Sequence, residues 1–153
     1  MTNSRMVYVT YIQTTPNKLW QALLEPEFTR QYWFATCHES AWTPGAPWLL
    51  RIPDGRVAHS GEVLEIDPPR KLVLSWQAEV QTELRAEGAS RVTFELEPQE
   101  GSVKLTVVHE IDKPDSMLVK TLSGGWPLIL ASLKTLLETG ESLAQTRRWP
   151  RGL

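Results

Sequence analysis

Apolar and polar positions alternate with a period of two through the middle of this chain. In "RVTFELE", Val92, Phe94 and Leu96 share one face, with Arg91, Thr93, Glu95 and Glu97 opposite. In "VKLTVVHE", Val103, Leu105, Val107 and His109 align against Lys104, Thr106 and Glu110. This pattern predicts half-buried strands, and the short Pro- and Gly-containing connection between the two runs predicts a hairpin. Leu72, Leu74 and Trp76 continue the same logic upstream. An antiparallel sheet of this kind has one wet face and one covered face.

The period changes near the C-terminal end. Leu118, Leu122, Gly125, Ile129, Leu133 and Leu136 follow one another at steps of three and four, which is one stripe of a long helix. This helix is the predicted cover. At the other end, "MVYVTYIQTT" reads as a strand. Thr15 then offers an N-cap and Pro16 a first helical position, where its missing N–H costs nothing. Pro26 interrupts, so two short helices follow the first strand. The order is strand, two short helices, several antiparallel strands, long helix. It predicts an α+β domain in which a curved antiparallel sheet grips one helix. We expect a single domain over residues 1–153, with a core of about 6–140 and a tail of 141–153.

One feature of the long helix runs against its propensity. "LSGGWPLIL" places Gly124, Gly125 and Pro127 inside it, where glycine costs about 1 kcal/mol and proline about 3 kcal/mol relative to alanine. Pro127 removes a donor and crowds the carbonyl of Ser123. A kink or break over residues 123–126 is expected, with a cavity where the glycines remove side chains. The alternative is that Gly124-Gly125 ends one helix and Pro127 begins another.

Composition narrows the partners. The net charge is −2 with no long run of either sign, unlike the basic face of nucleic-acid binders. "RRWPR" at residues 147–151 reads as a solvated tail. Cys37 is alone, so no intramolecular disulfide is expected, and a reducing, cytoplasmic setting follows. No apolar run approaches about 18 residues, so no membrane insertion is expected. The seven tryptophans are out of line with the rest, and predict an aromatic-lined interior.

The segments "GEVLEIDPPRKLVLSW", "VTFELEPQEGSVKLTVVHE" and "GGWPLILASLKTLLETGE" resemble the activator-of-heat-shock-protein-90-ATPase homologue-like family. That family belongs to the START-like (SRPBCC) superfamily with its helix-grip fold. The resemblance spans about residues 7–140. It implies a deep apolar cavity between sheet and long helix, of the kind superfamily members use for lipids, sterols, polyketides or plant metabolites. The family name comes from a co-chaperone in which such a domain accompanies a separate chaperone-binding domain; from the length of 153 residues no such second domain is expected here.

Candidate chemistry is sparse. His38, His59 and His109 show no metal-ligand spacing, so neither a metal nor a cofactor is expected. There is no phosphate loop and no nucleophile elbow. Parity turns His109 inward, where it could hold a ligand polar group or act as an acid or base. Its alternative is a satisfied strand-end histidine. Arg51 and His59 are placed near the cavity mouth, with a surface salt bridge as the alternative for Arg51. Tyr32 and Trp33 end the second short helix, as gate or as plug.

The expected lining is Trp33, Trp48, Trp76, Phe94, Val107, His109, Trp126, Ile129 and Leu133, with Arg51 and His59 at the mouth. Three readings follow. The first is binding of a small hydrophobic or amphipathic, lipid- or polyketide-like molecule. The second is a cyclase- or hydrolase-like enzyme using His109. The third is a protein-interaction module, as homodimer or chaperone accessory.

Overall fold

The computed structural model describes residues 3–152; residues 1, 2 and 153 of the expected domain lie outside the described residues. Strand β1 (Ser4–Ile12) leads into α1 (Pro16–Leu24) and α2 (Pro26–Tyr32). Then come β2 (Cys37–Ser40), β3 (Pro47–Arg51), β4 (Val57–Asp67), β5 (Lys71–Ala78), the single turn α3 (Thr82–Arg85), β6 (Ser90–Pro98) and β7 (Val103–Ile111). Helix α4 (Met117–Thr139) and a 3-10 turn (Ala144–Thr146) complete the chain. The Thr15 hydroxyl accepts the Lys18 N–H, and Pro16 opens α1 as its fixed φ allows.

The seven strands form one antiparallel curved sheet in the order β1-β7-β6-β5-β4-β3-β2. Register brings the alternating residues onto one face: Leu72 lies opposite Phe94, Phe94 opposite Val107, and Val107 opposite Tyr8. Helix α4 covers that face, burying Leu118, Val119, Trp126, Ile129, Leu130, Leu133 and Leu136. Its ends are tied down. The Glu87 carboxylate accepts the N–H groups of Met117 (2.8 Å) and Leu118 (3.3 Å), a negative charge placed where the helix dipole favours it. At the far end Gly140 takes the left-handed conformation (φ 90°) and its N–H reaches the Leu136 carbonyl. Lys134 Nζ donates to the Tyr11 carbonyl (2.5 Å), and the Gln13 N–H to Glu138 (2.8 Å), which fastens the helix to the end of β1.

The expected break does not occur: α4 runs unbroken through Pro127. Pro127 lies on the exposed side, where the carbonyl it leaves without an intrahelical donor is not sealed into the core. The packing of both halves against the sheet outweighs the local propensity cost.

One glycine is fixed by close approach. Gly61 on β4 lies opposite Trp48 on β3, and the Trp48 Nε1–H donates to the Ser75 carbonyl on β5 at 2.9 Å. A Cβ on Gly61 would fall 2.0 Å from that carbonyl oxygen and 2.8 Å from the indole nitrogen. Backbone leaves no room to yield. Gly61→Ala should therefore cost about 3 kcal/mol, from overpacking and a disrupted buried hydrogen bond. Urea unfolding checks this, and a loss under 1 kcal/mol would contradict the packing.

Candidate functional site

Trp76, at the centre of the covered face, is ringed by aromatic side chains. Trp33 stacks on it (centroids 6.1 Å, planes 13° apart), Trp48 lies at 4.7 Å, His59 at 5.1 Å, Trp126 at 5.8 Å and His109 at 6.0 Å. Each arrives from a different element. Trp33 is set by the turn after α2, where Phe34 and Ala35 both adopt positive φ (54° and 62°). That conformation is unfavourable for residues with a side chain. Thr36 holds it by donating its backbone N–H and its hydroxyl to the Trp33 carbonyl, at 3.1 and 2.5 Å.

These rings fill most of the space under α4, and a cavity of about 220 Å³ remains beside them. Trp33, His59, Trp76, Trp126 and Ile129 of the expected lining border it. Gly125, where the sequence places a cavity, borders it too, and a Cβ there meets nothing within 4 Å. Sequence reasoning missed Phe34, Leu50, Ala58, Ala78, Val80, Gln81, Leu84, Thr121, Leu122, Trp149 and Pro150. Trp149 and Pro150 belong to the segment read as a solvated tail. Both are half-buried here, and Thr146 just before them is fully buried.

The remaining expected residues lie elsewhere. Trp48, Phe94, Val107 and Leu133 are buried in the core behind the lining. Arg51 points away: its guanidinium pairs with Glu39 at 2.6 Å and donates to the Gly55 carbonyl at 2.7 Å. The paired side chains are 40% and 49% exposed, where water already solvates the charge, so nothing draws Arg51 inward.

His109 does face inward but is walled off. Its Nδ1 accepts the Trp126 Nε1–H (3.2 Å), its Nε2 shares a hydrogen bond with the Ser90 hydroxyl (2.7 Å), and the residue is fully buried. Both ring nitrogens are occupied by the protein, and His109 does not line the cavity. The satisfied histidine was the alternative reading, and this geometry is of that kind. His59 lines the cavity with its Nδ1 buried and unpartnered, as is the Trp76 Nε1. His38, also buried, lies edge-on to Trp33 at 4.9 Å. Among the described residues, no three His, Cys, Asp or Glu side chains converge as metal donors, and no helix is long and apolar enough to cross a membrane.

The three histidines share one electrostatic setting. Burial pushes His38 down to about 3, with the neighbouring His59 adding to it. Burial and then His109 push His59 down to about 3. Burial pushes His109 to about 4. All three are neutral at pH 7.

The sheet, the gripping helix and the cavity between them define the START-like, helix-grip class. The chain belongs to the family described as Activator of Hsp90 ATPase homolog 1-like protein, whose model matches residues 13–138. No curated protein matches the sequence. Among solved structures, protein MLL2253 from Mesorhizobium loti is similar at 25% identity and TM-score 0.74, over 88% of this chain and 97% of that one. The Aha1 dimer from Colwellia psychrerythraea matches at 18% identity and TM-score 0.73, over 91% and 99%. DynU16, a protein of the dynemicin biosynthetic locus, matches at 20% identity and TM-score 0.74, over 95% of this chain and 49% of that one.

The neutral histidines make a prediction. Their folded pKa values lie below about 6.5 for an unfolded histidine, so the unfolded chain takes up protons first as pH falls. Their stabilisation is complete above about pH 6.5, declines as pH falls, and is gone below the folded values. Ring-proton NMR should show none of the three titrating above pH 5, with urea stability already declining between pH 6.5 and 5. A His109 midpoint near 6.5 would contradict its enclosure.

Proposed function

We propose that this protein binds a small, uncharged, largely apolar molecule of one or two rings in the cavity beneath Gly125. The observation that carries this reading is the lining itself. It is dominated by aromatic and aliphatic side chains and, among the described residues, contains no Asp, Glu, Lys or Arg. An ionised carboxylate would lose its hydration there and gain no countercharge. Size supports a compact ligand. The 220 Å³ cavity lies between the ~150 Å³ that suits benzene and the ~300 Å³ at which drug-sized pockets begin. A long lipid or a sterol fits this volume poorly. A hydroxyl is a suitable polar handle, since Trp76 Nε1–H can only donate and the Nδ1 of a neutral histidine can accept. The acid–base reading loses its main support, because His109 is occupied on both nitrogens.

The test uses 2-naphthol and 2-naphthoate, with tryptophan fluorescence as readout. The naphthol should bind at least tenfold tighter than its anionic analogue. Gly125→Leu, whose side chain would grow into open space, should weaken naphthol binding at least tenfold without unfolding the protein. Gly124 is exposed and equally uncrowded. Gly124→Ala should leave binding unchanged and add about 0.5–1 kcal/mol of stability. A folded Gly125→Leu that binds naphthol like the wild type would sink the reading.

A second reading, self-association, rests on a separate observation. Val7, Val9 and Tyr11 stand 52%, 45% and 52% exposed along the outer face of β1, an edge strand. Such an apolar edge is open to pairing with another chain, and the Colwellia relative is a dimer. Sedimentation should show a dimer that Val9→Lys converts to monomer; a wild-type monomer at 100 µM on the order of usual assay concentrations would end this reading.

A further inference from the structure

The cavity is not closed by the sheet and α4 alone. Trp149 and Pro150 border it while their neighbours Arg148, Arg151 and Gly152 are exposed, so this stretch is an outer wall between cavity and solvent. It is seated by a buried anchor immediately upstream. The Thr146 hydroxyl shares a hydrogen bond with the Ser132 hydroxyl on α4 (2.7 Å) and donates to the Leu143 carbonyl (3.0 Å). The Leu143 N–H in turn donates to Ser132 Oγ (2.9 Å). Arg147 clamps the loop by donating to the Ser142 hydroxyl (3.0 Å) and carbonyl (2.5 Å). Apart from Ser132, these residues lie beyond residue 138, where the family match ends.

From this placement we infer that the C-terminal segment is the size selector of the cavity: Trp149 and Pro150 set the largest ligand it admits. The inference rests on the binding reading above. The other walls come from strands, from α4, from the turn after α2 and from the β5–α3 connection with α3. All of them are internal to the chain, so none can be cut back without interrupting the path that builds the grip. Residues 148–152 follow the anchor, so this wall can be cut back while the Thr146 and Arg147 contacts stay. An indole is also the largest side chain available for the purpose, and its removal enlarges the cavity toward solvent.

The test compares the full chain with Trp149→Ala and with a chain ended after Arg147, using 2-naphthol and the larger 1-hydroxypyrene. The wild type should bind 2-naphthol and discriminate at least tenfold against 1-hydroxypyrene. Both variants should bind 1-hydroxypyrene at least tenfold tighter than the wild type. A gain below tenfold in both overturns the inference, as does an equal loss of both probes, which would mark a merely structural role. The two readings fail differently. A wild type that binds 2-naphthol but whose variants keep its size preference removes only the size selector. A wild type that binds neither probe removes the binding reading and the selector with it.

Discussion

The structure depends on how indole rings are fitted between a sheet and a helix. Trp76 touches three other tryptophans and two histidines. Side chains of this size cannot be layered at ordinary sheet-to-helix spacing unless some positions give up their own volume, because protein interiors are close-packed. Two glycines do so on opposite sides. Gly61 lets the Trp48 ring lie close against the sheet and reach the Ser75 carbonyl. Gly125 leaves α4 bare at the level of Trp126. The cavity lies on the α4 side of this stack, beside Gly125, and Trp33, Trp76 and Trp126 form part of its wall.

The same packing fixes the electrostatics. Burial among apolar rings disfavours the charged imidazole, and His59 makes charging His38, and His109 charging His59, still less favourable. The polar atoms divide into two groups. His109, Ser90 and Trp126 satisfy one another, and this network joins β6, β7 and α4. Trp76 Nε1, His59 Nδ1 and His38 Nδ1 find no partner, at a cost of about 1–3 kcal/mol for each donor or acceptor so stranded. Unmet polar groups of this kind are where a neutral molecule with one hydroxyl gains over a plain hydrocarbon.

The strands, their inner faces and the gripping stripe of α4 were legible because period-two and period-3.6 patterns report burial directly. Leu72, Phe94 and Val107 are brought into cross-strand register as their parity required. Gly125 was legible as a propensity anomaly. What these periods could not give was depth: they turn Phe94, Val107, His109 and Leu133 inward without saying that the indoles stand in front of them. Arg51 was misplaced for a related reason, since its partner Glu39 is twelve positions away and becomes a neighbour only through the pairing of β2 with β3. The unbroken α4 shows tertiary packing overriding a local propensity penalty. Trp149 had no periodic context at all, so composition alone made it look like tail.

The grip and the proposed size selector therefore lie in different parts of the chain. TM-scores of 0.73–0.74 at 18–25% identity mean that the grip tolerates replacement of most side chains. That tolerance follows from its physics: alternation needs apolar residues of suitable volume, and many combinations supply them. A cavity wall has the opposite character, because one indole added or removed changes the enclosed volume outright. Here part of that wall comes from residues after the matched family segment, seated on α4 through the Ser132–Thr146 hydrogen bond. On the proposed reading such a segment can vary without disturbing the sheet, which would separate the ligand size admitted from the interactions that fold the domain.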